Sequence, residues 1–461
     1  MVVTLNKRVS FKCTLLEWAS FRDGLIPYVV VENKDYVNKL NMGISVKDVK
    51  QEFSLAEIEV TKGSVYVEFP IGLWDYVQHL FKDWTIWDHR ANVKVNPDKL
   101  MDYGMLYPYQ KQAVRNMLPY SNGILKAAPG SGKTIMGLVL AMLKGKSILW
   151  INDRIELCKQ ALKTAVEILG FPADKCGLLQ GDNENVSQFT FTTIQKLHKV
   201  INNGFNDATQ KLVHFDTIVI DECHHCVGSY NDYKEYFQVL NEMSYVNLYG
   251  LTATEKRVDG NEHLVFAIIG KVRYEVKGEL KVMKADVYNK HCHIDTTEEL
   301  YESFVNKYTQ KAMPAAVDSY LLFHQDYLDF VSSYIDMVLK GFNKVLLVSP
   351  RIAGAQYISD YLTAKGVDHF LVYGAIKKRE KMYTTKVLVA TIDLVKEGFD
   401  VPDLEAILVL SREIHKFKKT QIVGRCERYV EGKKSPVVYF LIPHMKRAKK
   451  TEWEDLDLGK V

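Results

Sequence analysis

Three short strings carry residue types that could do chemistry on a nucleotide. Ala127-Ala128-Pro129-Gly130-Ser131-Gly132-Lys133-Thr134 reads as a phosphate-binding loop, with Ala127 where the general pattern has its first glycine. Glycines let the backbone curl until its N–H groups converge on a phosphate at a helix start. Lys133 would meet the β and γ phosphates and the Thr134 hydroxyl would join Mg²⁺. Asp221-Glu222-Cys223-His224 follows the apolar run Thr217-Ile218-Val219-Ile220. From a strand end Asp221 can hold Mg²⁺ through water, while Glu222 can orient or deprotonate an attacking water. Gln421, Gly424, Arg425 and Arg428 lie in a segment that reads as helical, where they would share one face. A guanidinium there can neutralise charge that develops on a transferred phosphoryl group. The bland readings are a strand-ending turn, a helix cap and a salt-bridged surface helix. The three strings in one chain weigh against them, and the expected cofactors are ATP and Mg²⁺.

Elements must position these groups, and their texture changes along the chain. At 461 residues the chain is too long for one ordinary core, and about 150 residues per domain implies roughly three. Residues 1–104 read as a small α+β accessory domain. Glu57 to Thr61 and Ser64 to Phe69 alternate around Lys62-Gly63 as a hairpin, and Leu73 to Phe81 reads as a short helix. Trp74, Tyr76, Phe81, Trp84 and Trp87 could stack on bases, but a core role is favoured for most of them. Residues 105–284 and 285–461 alternate short apolar strands with helices, the pattern of two doubly wound α/β domains on parallel sheets. The join is expected near Lys277 to Ala285. Thr296 with Glu299 is expected to form a capping box, and the tail from Lys446 to Asp457 to be a solvated end. Because Lys133 and Arg425 fall in different α/β domains, ATP is expected to bind between them.

Composition bounds the rest. With 47% apolar and 25% charged residues the chain is globular, and a net charge of +4 confines any nucleic-acid surface to a local stripe. Seven scattered cysteines suit reduced thiols in a cytosol. The start lacks a signal-peptide core and no apolar run is long enough to span a bilayer, so a cytoplasmic, membrane-free, monomeric protein is expected. Cys223-His224-His225-Cys226 has ligand-like spacing. Since His291-Cys292-His293 is distant and strand-like, the favoured reading makes His224 a coupling residue and both cysteines small buried side chains.

From about Leu106 to the C-terminus these motifs together resemble the superfamily 2 helicases, with two RecA-like domains. The segment Leu106-Tyr107-Pro108-Tyr109-Gln110 is similar to the one whose glutamine reads adenine in that family. Arg154, Glu156, Leu157 and Gln160 resemble its first DNA-contact motif, although Asn152-Asp153 replaces the usual Pro-Thr. Thr193 and Gln195 resemble a second contact motif. Leu251-Thr252-Ala253-Thr254, with Arg257 and Asp259, resembles the coupling motif. Gly374 and Arg379, Thr391, and Gly398-Phe399-Asp400-Val401-Pro402 resemble later motifs. The resemblance implies nucleotide contacts at Gly398 and Asp400, and nucleic-acid contacts at Arg154, Thr193, Gln195, Arg257, Arg379 and Thr391. Asp-Glu-x-His and Gly-Phe-Asp-Val-Pro lean toward the DNA-acting branch, and the compact length is most similar to the phage recombination helicases of the UvsW type. That implies an ATP-driven helicase on forked or branched DNA in replication, recombination or repair. The alternatives are an RNA helicase, a duplex translocase that does not separate strands, and a non-catalytic nucleic-acid-binding scaffold.

Overall fold

The computed structural model describes residues 1–41, 45–47, 49–90, 95, 97–225, 230–253, 260–276, 283–306, 313–373, 381–392, 394–395, 401–412, 416–448 and 453–455. Cys226, Arg257, Gly374, Arg379, Gly398 and Asp400 lie outside them. The chain divides into two compact units, Met1–Leu280 and Lys281–Val461.

The first unit opens with seven strands: β1 (Val2–Leu5), β2 (Arg8–Thr14), β3 (Val30–Glu32), β4 (Glu52–Ser54), β5 (Glu57–Val60), β6 (Ser64–Pro70) and β7 (Thr85–Asp88). Five of them form a sheet in the order β5-β6-β2-β1-β7, and β3 pairs with β4. The expected hairpin is β5–β6, closed at Lys62-Gly63 by a 2.9 Å bond from the Thr61 N–H to the Ser64 carbonyl. Alternation buries Val65, Val67 and Phe69 while Tyr66 and Glu68 between them are more open to solvent. The aromatics behave as the core reading expects. Phe81 and Trp84 pack on Phe11 at centroid distances of 5.3 and 5.2 Å, and Trp74 is buried. Trp87 on the edge strand β7 is 56% exposed. The Leu73–Phe81 helix is broken into a 3-10 turn Ile71–Leu73, an α-turn Trp74–Val77 and a second 3-10 turn Gln78–Phe81.

Eight further strands follow: β8 (Asn122–Lys126), β9 (Ile148–Asn152), β10 (Cys176–Gln180), β11 (Asn183–Glu184), β12 (Phe189–Thr193), β13 (His214–Ile220), β14 (Ser244–Thr252) and β15 (Val272–Glu275). They make one sheet in the order β11-β10-β12-β9-β13-β14-β8-β15, parallel except for β11. Strands this apolar need cover on both faces, and the connecting helices supply it. The N-terminal part is not a loosely tethered appendage to this layer. Its core runs on into that of β9, β13 and the helix Glu262–Ile269. Gly72 approaches that helix so closely that an added Cβ would sit 2.3 Å from the Phe266 carbonyl oxygen and 2.5 Å from that of Ala267. Nearby, the Arg273 guanidinium donates to Asp75 at 3.1 Å and to the Asn122 carbonyl at 3.0 Å, with the Tyr120 ring 4.4 Å from its centre.

The second unit holds β16 (Asp286–Thr296), β17 (Val345–Ser349), β18 (His369–Val372), β19 (Val387–Thr391), β20 (Ala406–Leu410), β21 (Val437–Ala448) and β22 (Trp453–Asp455). Its sheet runs β16-β21-β20-β17-β19-β18, parallel, with β22 antiparallel on β21. Both α/β layers are therefore of the doubly wound type. Three local expectations are corrected. Thr296 ends β16 and donates to the Lys446 carbonyl at 2.9 Å, whereas Thr297 caps the next helix by accepting from the Leu300 N–H. Lys446 to Ala448 are not a loose tail but the end of β21, paired with β22. The helix Lys416–Val423 stops before Gly424, so Arg425 sits in a turn and Arg428 beyond it.

The Gly72 contact is backbone on backbone and has no flexible side chain to give way. Gly72→Ala is expected to destabilise the first unit by about 2–4 kcal/mol, within the range of severe overpacking. Urea unfolding followed by tryptophan fluorescence checks it, and an unchanged midpoint would show the joint to be compliant.

Candidate ATP-hydrolysis site

The parallel sheet of the first unit puts the phosphate loop, the acidic turn, Arg154 and Thr193 on one edge. Thr193 pairs with Asn152, Ile220 with Ile151 and Gly250, and Thr252 with Lys126. The segments that follow β12, β9, β13, β14 and β8 therefore leave the sheet side by side. Such carboxyl edges are where open α/β sheets bind ligands.

The phosphate loop joins β8 to the helix Lys133–Lys144. Gly130 and Gly132 hold φ of 76° and 80°, the left-handed region that favours glycine. Ala127 needs no such freedom: it continues the pairing, its N–H donating to the Thr252 carbonyl at 2.9 Å, and its methyl is buried. This explains how alanine stands at the pattern's first glycine. Gly132 is constrained twice, since a Cβ there would lie 2.4 Å from Gln110 Nε2. Gln110 is buried and braces the loop. Its Nε2 donates to the Ser131 carbonyl at 3.0 Å and its Oε1 accepts from the Tyr107 N–H at 3.0 Å. Tyr109 adds a second donor to Ser131, from its hydroxyl at 3.0 Å. Sequence motifs alone give Tyr109 no role; the signal for one is its hydroxyl beside Gln110. Ala128 accepts from the Ser131 hydroxyl at 2.6 Å, and Thr134 is half-buried in the first helical turn.

Across the edge, Lys133 Nζ lies 3.0 Å from Glu222 Oε1. Glu222 has φ of 49°, the sole positive-φ non-glycine among the described residues. A carboxylic residue held there costs on the order of 1 kcal/mol, and such strain collects at functional sites. The Asp221 carboxylate accepts from the Glu222 N–H at 3.0 Å and helps to fix this turn. Burial, then the Glu222 charge, pushes the Asp221 carboxyl up to about 7. Burial acts the same way on Glu222, but the Lys133 ammonium, helped by His224, outweighs it and holds that carboxyl below its usual range. A buried carboxyl pushed upward in this way is a group that a divalent cation would relieve, so Asp221 fits the metal-holding role.

His224 Nδ1 shares a 2.9 Å hydrogen bond with Thr252 Oγ1 and lies 3.5 Å from Glu222 Oε2. It thus links the acidic turn after β13 to the end of β14. Cys223 is fully buried against Gly250, where an added Cβ would lie 2.8 Å from its sulfur. Farther along the edge, Asn152 Oδ1 accepts from the N–H groups of Asp153 and Arg154 at 2.8 and 3.3 Å. This turn delivers Arg154 to the start of the helix Ile155–Lys163, so Asn-Asp builds a turn where Pro-Thr is usual. Thr193 caps the helix Ile194–Asn203, and Gln195 in its first turn is exposed.

In the second unit Thr391 ends β19 beside Ser349. Gln421 is half-buried near the end of its helix, and Arg425 Nε donates to the Val395 carbonyl at 2.9 Å.

Residues 104–257 match the family described as type III restriction enzyme, res subunit. The chain is similar to "Probable helicase D10" of Escherichia phage T5, 25% identical over 69% of this chain and 67% of that protein. It is also similar to "DNA 3'-5' helicase XPB" of Kineococcus radiotolerans, 26% identical over 39% of this chain and 31% of that protein. Among solved structures, "S. cerevisiae Dbp5 bound to RNA and ADP BeF3" shares the fold at a TM-score of 0.52 and 14% identity, over 75% of this chain and 86% of that one. By motifs, fold and relatives the chain is an ATP-hydrolysing enzyme of the superfamily 2 helicase class, with two RecA-like layers.

If Glu222 activates the water, Glu222→Gln should keep ATP affinity within roughly threefold and cut turnover at least ~100-fold. Steady-state phosphate release alongside fluorescent-nucleotide binding checks both, and near-normal turnover would remove Glu222 from the chemistry.

Proposed function

We propose that the chain is an ATP-driven motor on DNA that unwinds or migrates forked and branched structures. The observation that carries this reading is the shared edge of the first sheet. Nucleotide chemistry follows β8 and β13, and the segments after β9 and β12 present Arg154, Thr193 and Gln195 beside it. Hydroxyls, amides and a guanidinium at strand ends can hold a phosphate backbone without reading bases. The relatives whose names specify DNA support DNA over RNA.

On this reading ATP draws Lys133 from Glu222 to its β and γ phosphates. Gly130, Ser131 and Gly132 present N–H groups, with Ala128 and Pro129 shaping the loop's entry. Thr134 and Asp221 would hold Mg²⁺, which would offset phosphate charge. Glu222, released from the ammonium, orients a water and takes its proton as the oxygen attacks the γ phosphorus and the bond to ADP breaks. Arg425 and Arg428 neutralise charge on the transferred group, and Gln421 contacts the water or phosphate. Gln110, through the loop it braces, Gly398 and Asp400 complete the nucleotide set. His224 carries the change at Glu222 to Thr252. Arg257, Arg379 and Thr391 are the further nucleic-acid contacts of the proposal. A role for the N-terminal sheet at a junction is supported by its fixed seat on the first layer and by Trp87, exposed where a base could stack.

The test is ATPase stimulation by single-stranded, duplex and forked DNA and by RNA, side by side. Forked DNA is expected to stimulate most, with affinity falling at least ~10-fold between 50 and 200 mM salt and little preference for base sequence. Greater stimulation by RNA than by any DNA would overturn the substrate assignment.

A second prediction concerns the arginines. Arg425→Ala should retain nucleotide affinity within roughly tenfold while losing most hydrolysis, because the charge acts on the transition state. Full-rate hydrolysis by that variant would exclude Arg425.

A further inference from the structure

The arginine segment follows a helix and has left regular structure, so something else must fix it. Three helix-end bonds start the work. The Gly424 N–H donates to the Thr420 carbonyl, that of Arg425 to Ile422, and that of Cys426 to Val423. Ile422 and Cys426 are fully buried, and burial pushes the Cys426 thiol up to about 12, which makes it an inert packing group. Beyond Cys426 these helix-end bonds stop.

Lys433 takes over there. Its ammonium donates to the carbonyls of Arg428 at 2.9 Å, Cys426 at 2.5 Å and Pro402 at 3.1 Å. An ammonium has three N–H donors and no acceptor, so three carbonyls use its full capacity. A turn aims it: the Lys433 N–H donates to the Val430 carbonyl at 3.2 Å, and Gly432 adopts φ of 78°. Burial pushes the Lys433 ammonium below its ordinary range, and the Asp403 and Glu405 carboxylates offset part of that cost. The three donors of this half-buried lysine all go to backbone oxygens, so its bonds serve the fold rather than an ion pair. What it joins is specific, because Pro402 closes the Gly398–Pro402 segment while Cys426 and Arg428 belong to the arginine segment.

We propose that Lys433 is a positioning residue for hydrolysis, a three-carbonyl clamp that ties the arginine segment to the backbone at Pro402. This rests on the reading that Arg425 and Arg428 act on the nucleotide. Lys433 itself touches no substrate. With the clamp open, both arginines keep their charge but lose their fixed placement, and loose placement lowers the rate of a step that depends on aimed charge.

The experiment is a double-mutant cycle on the full chain. Lys433→Met is expected to lower kcat of nucleic-acid-stimulated ATP hydrolysis at least ~10-fold, with KM for ATP and DNA affinity within roughly threefold. Combined with Arg425→Ala and Arg428→Ala, it should have no further effect, since the clamp would then hold nothing that acts. Lys433→Arg, which keeps charge and donors, should recover part of kcat. If Lys433→Met does not fold, Lys433→Gln, with two donors, takes its place in the cycle. A wild-type kcat in the lysine variant, or an equal loss in the arginine-free background, would overturn the proposal. Absence of ATPase in the wild type would instead sink the functional reading on which it rests.

Discussion

The contact between Lys133 and Glu222 is the constraint around which the first unit is arranged. It joins the phosphate loop after β8 to the acidic turn after β13, two strands separated in the sheet by β14. An ammonium and a carboxylate at 3.0 Å in a partly buried edge satisfy one another, and breaking such a pair without a substitute leaves an uncompensated charge. On the proposed reading a triphosphate would replace Glu222 as the partner of Lys133, and Glu222 would take up a proton from the attacking water. The left-handed backbone at Glu222 is the local cost, and the Asp221 carboxylate beneath it supplies part of the restraint.

The acidic turn is tied to β14 by packing as well as by a hydrogen bond. His224 ties the acidic turn to Thr252, and Cys223 fills the space over Gly250 on the same strand. Both contacts fall on β14, the strand between the two halves of the nucleotide chemistry. On the proposed reading a shift at Glu222 would reach Thr252, at the end of β14, through His224. The zinc-like spacing of Cys223 to Cys226 has this other explanation at the position described: a sulfur chosen for its size.

The two units solve the same problem with different means. In the first, the N-terminal sheet is cemented to the α/β layer by a backbone contact at Gly72 and a multiply bonded Arg273, so it cannot be regarded as a detachable accessory. In the second, a lysine ammonium does for the arginine segment what a helix would otherwise do. Past the helix end the carbonyls of Cys426 and Arg428 need donors from elsewhere, and Lys433 provides them.

The sequence by itself determined the strand-rich layers, the hairpin at Lys62-Gly63, the phosphate loop and the acidic turn. These depend on local periodicity, on glycine conformations and on residue types at short spacing. It misjudged the end of the helix before Gly424 and the cap at Thr297, where the arginine spacing suited a helix and two adjacent threonines suited one cap. Tertiary structure alone decided that Gln110 braces Ser131, that His224 meets Thr252, that Gly72 seats the N-terminal sheet and that Lys433 gathers three carbonyls. Each joins positions that sheet order and packing bring together, and no local rule of spacing encodes which distant partner a lysine, a histidine or a glycine will find.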